Sequence, residues 1–133
     1  MGLESYIFRK VPEDKHEYDE DGNMTVCHDE AVIYWWKCNE VHGYFDRLFD
    51  GVENCEDYPV TVDQLKELRD VCQKVMDNHD LSEELLPTYG GIFFGTYDYD
   101  ERYFNRVSET IEKLNGLLDE SGDDDEYYYY AWW

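Results

Sequence analysis

Three side chains close together in the chain could bind the flat ring of a small molecule. Trp35, Asn39 and His42 lie on or beside one line if residues 29–50 form a helix. The indole could then stack on a ring while the amide and the imidazole form hydrogen bonds at the ring's edge. The alternative is that Trp35 is a core residue and His42 a hydrogen-bonded residue at the core's boundary, the commoner role of a lone histidine.

A glycine-bracketed apolar segment would form the other wall of this pocket, with a lysine as the charge partner of an anionic ligand. Gly90 and Gly91 are not a phosphate-binding loop, because they precede a predicted strand and no Gly-Lys-Ser/Thr follows. Such a pocket would indicate a protein that binds or sequesters a small molecule such as a nucleotide signal. Its candidate residues are Trp35, Lys37, Asn39, His42, Thr88, Gly90 and Phe94.

The acidic residues form a second candidate site. Thirty-three acids against eleven bases give a formal charge of -22, which opposes direct binding to nucleic acids or anionic membranes. The same charge favours a partner protein with a basic or nucleic-acid-binding surface, although it can also serve solubility alone. The candidate partner-binding residues are Asp19, Glu20, Asp21, Asp119, Glu120, Asp123, Asp124, Asp125 and Glu126.

No motif indicates catalysis or a bound metal. No serine lies in a Gly-x-Ser-x-Gly turn, and carboxylates are too abundant for any pair to be informative. Cys27 and His28 lack a second ligand pair at a recognised spacing, and the acidic loop after Asp19 lacks a calcium loop's glycine and closing glutamate. We therefore expect no enzyme, no cofactor, no metal and four free thiols.

The sequence shows neither a secretion signal nor a membrane span, which bears on the compartment. Residues 1–10 lack a secretory apolar region, and no apolar run approaches the roughly 20 residues of a membrane span. We expect a cytoplasmic protein without membrane association.

Periodicity and turn residues predict the elements that would position these side chains. Alternation predicts strands, and apolar residues three or four apart predict helices. A capping box of Thr61 and Gln64 opens the second helix. We predict a strand at residues 3–10, a loop or hairpin tip at 13–21, helices at 29–50, 61–77 and from Asp98 or Asp100 to 119, and strands at 90–97 and 127–133.

These elements predict an α+β fold in which about three helices pack on one small, mostly antiparallel sheet. Residues 1–133 would form a single acidic domain, because no linker or repeat divides them. The aromatic tail would otherwise be exposed, so we expect it to complete the sheet or to seal a homodimer.

Five motifs follow one another in a fixed order: residues 34–42, residues 50–55, residues 85–96, Tyr99-Asp100 with Tyr103, and the aromatic C-terminus. In letters, the first and third are Tyr-Trp-x-Lys-x-Asn-x-x-His and Leu-Leu-Pro-Thr-x-x-Gly-x-Phe-Phe-Gly. Over about 100 residues from Glu30 onward, this order resembles a family of small phage and prophage proteins without an established function. Trp36 stands where that family has a basic residue, and serines are missing near Ala131 and Trp132.

The resemblance implies a phage-encoded accessory protein that acts in the cytoplasm of a bacterial host. Together with the charge, it leads to the hypothesis of a non-catalytic inhibitor of a host defence system, such as an anti-CRISPR, with an acidic surface that mimics nucleic acid. The alternative hypothesis is the small-molecule binder described above.

Overall fold

A computed structural model describes residues 2–10, 17–22, 24–26, 29–90, 98–122 and 125–133. Its strands are β1 (Glu4–Arg9), β2 (Glu17–Tyr18), β3 (Met24–Val26), β4 (Glu30–Trp36), β5 (Asp57–Val60) and β6 (Tyr127–Trp132). Its helices are α1 (Asn39–Leu48), α2 (Val62–Asp77), α3 (Ser82–Leu85) and α4 (Glu101–Glu120), with a 3₁₀ turn at His79–Leu81.

Four of the strands form one sheet in the order β4–β1–β6–β5, and all three pairings are antiparallel. β2 and β3 pair separately as a hairpin, whose turn lies in the predicted hairpin-tip region. The predicted α+β class is confirmed, with four helices among the described residues where about three were expected, because α3 is a single short turn.

The C-terminal strand β6 lies in the middle of the sheet, between β1 and β5. Its predicted strand conformation is confirmed. Tyr127, Tyr129 and Ala131 are buried on the face that the helices cover, and Tyr129 is fully buried. The C-terminal strand therefore completes the sheet of its own chain.

The prediction of one helix over residues 29–50 was wrong in its first part. Residues 30–36 form β4, and only residues 39–48 are helical. Ile33 and Trp35 are buried while Tyr34 and Trp36 are exposed, so this run of branched and aromatic residues alternates as a strand does. Lys37 then adopts a left-handed conformation with φ of 51°, which turns the chain into α1.

Strand β5 lies between the first and second predicted helices, where no strand was predicted. Its proline is compatible with this, since β5 lies at a sheet edge and Pro59 has no amide proton to donate to a neighbour. The predicted strand at residues 90–97 falls almost wholly outside the described residues.

The two long helices agree with their predictions. In α2 the Thr61 hydroxyl accepts from the Gln64 amide at 3.1 Å, and the Gln64 side chain accepts from the Thr61 amide at 2.9 Å. Asp100 caps α4 by accepting from the amides of Arg102 and Tyr103. Both caps satisfy amides that have no partner inside the helix.

The core lies between the helices and one face of the sheet. Phe45 of α1 stacks on Tyr129 of β6 with ring centroids 4.2 Å apart. Beside them Glu40 is fully buried and forms two hydrogen bonds with the guanidinium of Arg106, at 2.8 and 3.1 Å. A buried ion pair of this kind depends on both partners, because either charge left alone would be uncompensated.

Candidate functional site

The three side chains of the predicted ring-binding pocket lie in the core. Trp35, Asn39 and His42 are at most 3% exposed. The Trp35 indole donates to the Thr110 hydroxyl at 2.9 Å, and the Asn39 side-chain oxygen accepts from the Tyr89 amide at 3.1 Å. These polar groups bind other parts of the protein, as the alternative interpretation of Trp35 and His42 expected.

His42 is held by aromatic neighbours. Its Nδ1 lies 2.9 Å from the Tyr129 hydroxyl, and the rings of Tyr89 and Trp133 meet the imidazole edge to face. Burial lowers the pKa of His42 to about 4, and the nearby carboxylate of Asp46 offsets only part of this shift. The imidazole is therefore neutral at physiological pH.

Lys37 and Gly90 do not join these three side chains in the core. Lys37 lies with its ammonium 4.9 Å from the centroid of the exposed Trp36 ring. The Thr88 amide donates to the Tyr99 hydroxyl at 3.1 Å, and Gly90 is exposed. Phe94 lies outside the described residues. The structure thus joins α1 to the segment after Pro87 through Asn39 and Tyr89, and it directs Lys37 elsewhere.

The predicted acidic surface is spread over two turns and one helix end. Asp19, Glu20 and Asp21 are exposed at the β2–β3 turn, and Asp119 and Glu120 end α4. Arg9 lies 3.6 Å from a Glu120 oxygen and 3.8 Å from an Asp125 oxygen, so part of the second run faces a basic group. Glu126 is exposed, whereas Asp123 and Asp124 lie outside the described residues.

The sheet face opposite the core is covered with aromatic side chains. In β1, β4 and β6 these residues alternate with those that face the core, and cross-strand pairing brings them together, as for Tyr6 with Tyr34 and Tyr130. We call this surface the aromatic face: Tyr6, Phe8, Tyr34, Trp36, Tyr128, Tyr130 and Trp132.

The rings of the aromatic face pack side by side, and all except the buried Tyr128 remain at least partly open to solvent. Tyr6 lies 5.1 Å from Tyr34 and 5.2 Å from Phe8, and Phe8 lies 5.3 Å from Tyr128, between ring centroids. Tyr34 is 40%, Trp36 61% and Trp132 39% exposed. A contiguous exposed apolar surface marks an interaction site more often than a scattered one does.

Carboxylates lie within and around the aromatic face. Glu4 is in register with Trp36 on one side and Trp132 on the other, and it accepts a hydrogen bond of 2.8 Å from the Tyr34 hydroxyl. Asp57 is paired with Tyr130 and is exposed. The face therefore combines large apolar rings with negative charge.

Sequence reasoning missed the aromatic face because it placed Tyr34 and Trp36 on a helix. The signal was present in the composition of residues 32–36, because all five are β-branched or aromatic and such residues favour strands. The strands at residues 3–10 and 127–133 were predicted, but the pairing that aligns their rings was not.

The buried thiols are poorly suited to reaction. Burial raises the pKa of Cys72 to about 12 and that of Cys38 well above its usual value, so both remain protonated. Cys38, Cys55 and Cys72 are free, as predicted, and Cys27 and His28 lie outside the described residues. Within the ranges that the structure describes, no group of three or more His, Cys, Asp or Glu side chains could hold a metal ion.

Among the helices described, none has the length and apolar character needed to cross a bilayer. The chain matches no protein-family model, no curated protein and no solved structure.

Proposed function

We propose that this chain is a phage-encoded, non-catalytic inhibitor that binds a basic, nucleic-acid-handling protein of a host defence system through its aromatic face. The observation that carries the proposal is the exposed aromatic face, which lies on the side of the sheet away from the core. The phage assignment rests on the family resemblance of the sequence motifs, and the choice of a basic partner rests on charge.

The aromatic face has the composition of a protein-binding surface. Tryptophan and tyrosine dominate the residues that contribute most to protein–protein affinity, because they bury a large area with few rotatable bonds. Trp36 and Trp132 flank Glu4 at one end of the face, so two indoles could anchor a partner on either side of a carboxylate.

Negative charge on and around the aromatic face favours a basic partner. Glu4 and Asp57 lie among the rings, and Glu53 and Glu56 are exposed in the loop beside β6. With a net charge of -22, the protein attracts a basic surface at long range, and such steering weakens as salt screens it. A partner that normally holds a phosphate backbone presents such a surface.

The proposal is tested by immobilising the protein and applying lysate of a bacterial host at low ionic strength. We expect a basic or nucleic-acid-binding protein to be retained, and its affinity, measured with the purified partner, to fall at least about tenfold in Trp132→Ala. Gln73→Ala, an exposed change on α2, is the matched control and should bind as the wild type does.

Two outcomes would contradict the proposal. One is a partner that binds Trp132→Ala as tightly as the wild type. The other is a homodimer, detected by sedimentation, that Trp132→Ala dissociates, because a second copy would then cover the aromatic face.

A further inference from the structure

A cleft of about 580 Å³ separates the edge strand β4 from helix α4. Its volume lies in the range of small-molecule sites. Two aromatic residues and four basic residues contribute to its walls: Tyr34, Trp36, Lys37, Arg102, Arg106 and Lys113.

The cleft concentrates the scarce positive charge of this protein. Four of its eleven basic residues lie here, and Glu109 is the single carboxylate among the described lining residues. Charges elsewhere on the surface are screened beyond about 8 Å at physiological ionic strength. The local potential of the cleft can therefore be positive although the whole molecule is strongly negative.

The basic residues have different roles in the cleft. Arg106 is neutralised by the buried Glu40, whose two oxygens it binds, so it forms a rigid wall. Burial opposes the charge of Arg106, but the hydrogen bond and charge of Glu40 outweigh this and raise its pKa. The Lys113 ammonium donates to the Tyr34 carbonyl oxygen at 2.8 Å, and an ammonium has two further protons to offer. Arg102 is exposed near the start of α4.

Trp36 gives the cleft a stacking surface. Its indole is 61% exposed, and the Lys37 ammonium lies 4.9 Å from the ring centroid. Lys37 is held there by its left-handed backbone and by its amide, which donates to the Leu3 carbonyl oxygen at 2.7 Å. A large ring that is open to solvent and adjoins cations can bind another flat ring whose substituent is anionic.

We propose that this cleft binds a small ligand of mononucleotide size, with its ring stacked on Trp36 and its phosphate held by Arg102 and Lys113. The guanidinium fork and the ammonium suit a phosphate group, since several donors can share its oxygens. This site goes beyond the partner-binding function proposed above. It differs from the pocket predicted from the sequence, with which it shares Lys37 alone among the described residues.

Calorimetric titration tests the ligand class with adenosine monophosphate, adenosine and inorganic phosphate as separate probes. We expect the monophosphate to bind with a Kd below about 1 mM, and adenosine or phosphate alone to bind at least about tenfold more weakly. Equal binding of phosphate alone would overturn the stacking role of Trp36. Absence of binding by the monophosphates of adenosine, guanosine, cytidine and uridine at that concentration would overturn the site.

Paired variants locate the binding and separate this proposal from the previous one. Arg102→Glu and Trp36→Ala should each weaken nucleotide binding at least about tenfold. Their controls are Arg69→Glu on α2 and Trp132→Ala on the aromatic face outside the cleft. Both controls should leave nucleotide binding unchanged. Nucleotide binding that survives Arg102→Glu would refute the cleft. Trp132→Ala tests partner binding without altering this site, so either proposal can fail alone.

Discussion

Burial changes the chemistry of single residues in this protein, and His42 is the clearest case. Its imidazole is 1% exposed and lies against Tyr129, Tyr89 and Trp133. Such surroundings disfavour the charged form, so the folded-state pKa of about 4 lies below the usual 6.5. The unfolded chain therefore binds a proton between these values that the folded protein does not bind.

This difference predicts a loss of stability in mild acid. The contribution of His42 is fully present above pH 6.5 and is lost as the pH falls toward 4. Because the folded-state pKa is lower, the free energy of unfolding should be about 2 kcal/mol smaller at about pH 5 than at about pH 7. Urea unfolding at the two pH values measures it.

The control for this prediction is His42→Asn, which lacks the titrating group. The carboxylates titrate in both proteins, so their effect cancels when wild type and variant are compared. The wild type should lose about 2 kcal/mol more than the variant over this pH range. An equal loss in both would show that His42 is not responsible.

Among the secondary-structure elements, a short sequence motif can fix where a helix begins when the hydrogen-bond partners lie close together in the chain. α2 begins with a reciprocal capping box, in which Thr61 and Gln64 each satisfy the other's backbone amide. Because these contacts join residues only three positions apart, they form the same way in any fold that leaves the helix start exposed.

Removal of the cap should have a measurable cost. Thr61→Ala deletes the hydroxyl that accepts from the Gln64 amide, and we expect it to lower the free energy of unfolding by about 1 kcal/mol. Thr61→Ser keeps the hydroxyl and should remain close to the wild type in the same denaturant titration. If Thr61→Ala were as stable as the wild type, the cap would not contribute to folding.

Strand β6, in contrast to the start of α2, depends on partners that are distant in the chain. It comes last in the chain yet lies between β1 and β5, so the sheet cannot close until residues more than 100 positions apart have met. Contacts over such separations slow folding because the chain must first lose the entropy of a long loop.

At the scale of the whole molecule, like charges repel one another across the surface. A net charge of -22 on 133 residues favours the expanded, unfolded chain, in which the acids are farther apart. The few ion pairs at Arg9 are partly exposed and compensate for little of this repulsion.

Added salt should therefore stabilise the protein. Raising sodium chloride from about 20 mM to about 0.5 M shortens the Debye length several-fold, and we expect the Tm to rise by a few degrees. Choline chloride should act equally, because screening does not depend on the cation. A Tm that stays constant or falls would contradict net repulsion, and a rise with sodium alone would indicate specific ion binding.

Elements with local signals could be predicted from the amino-acid sequence. α2 and α4 have capping residues and apolar side chains at helical spacing, β1 alternates, and β6 is a run of aromatic residues that would be sticky if exposed, so each was predicted close to its observed range. Residues 30–36 show the limit of this reasoning. Their apolar side chains fit both a helical and a strand period, and pairing with β1 decided for the strand.

The positions of the candidate sites depend on contacts between distant parts of the chain. The aromatic face unites residues from the beginning, the first third and the end of the chain, and the cleft joins Trp36 to Arg102 and Lys113 across the edge of the sheet. Trp35, which looked like a ligand-binding residue, is turned into the core and bonded to Thr110, while its neighbour Trp36 faces outward. The physical reason is that strand register sets which side chains face solvent, and register depends on partners that are distant in sequence.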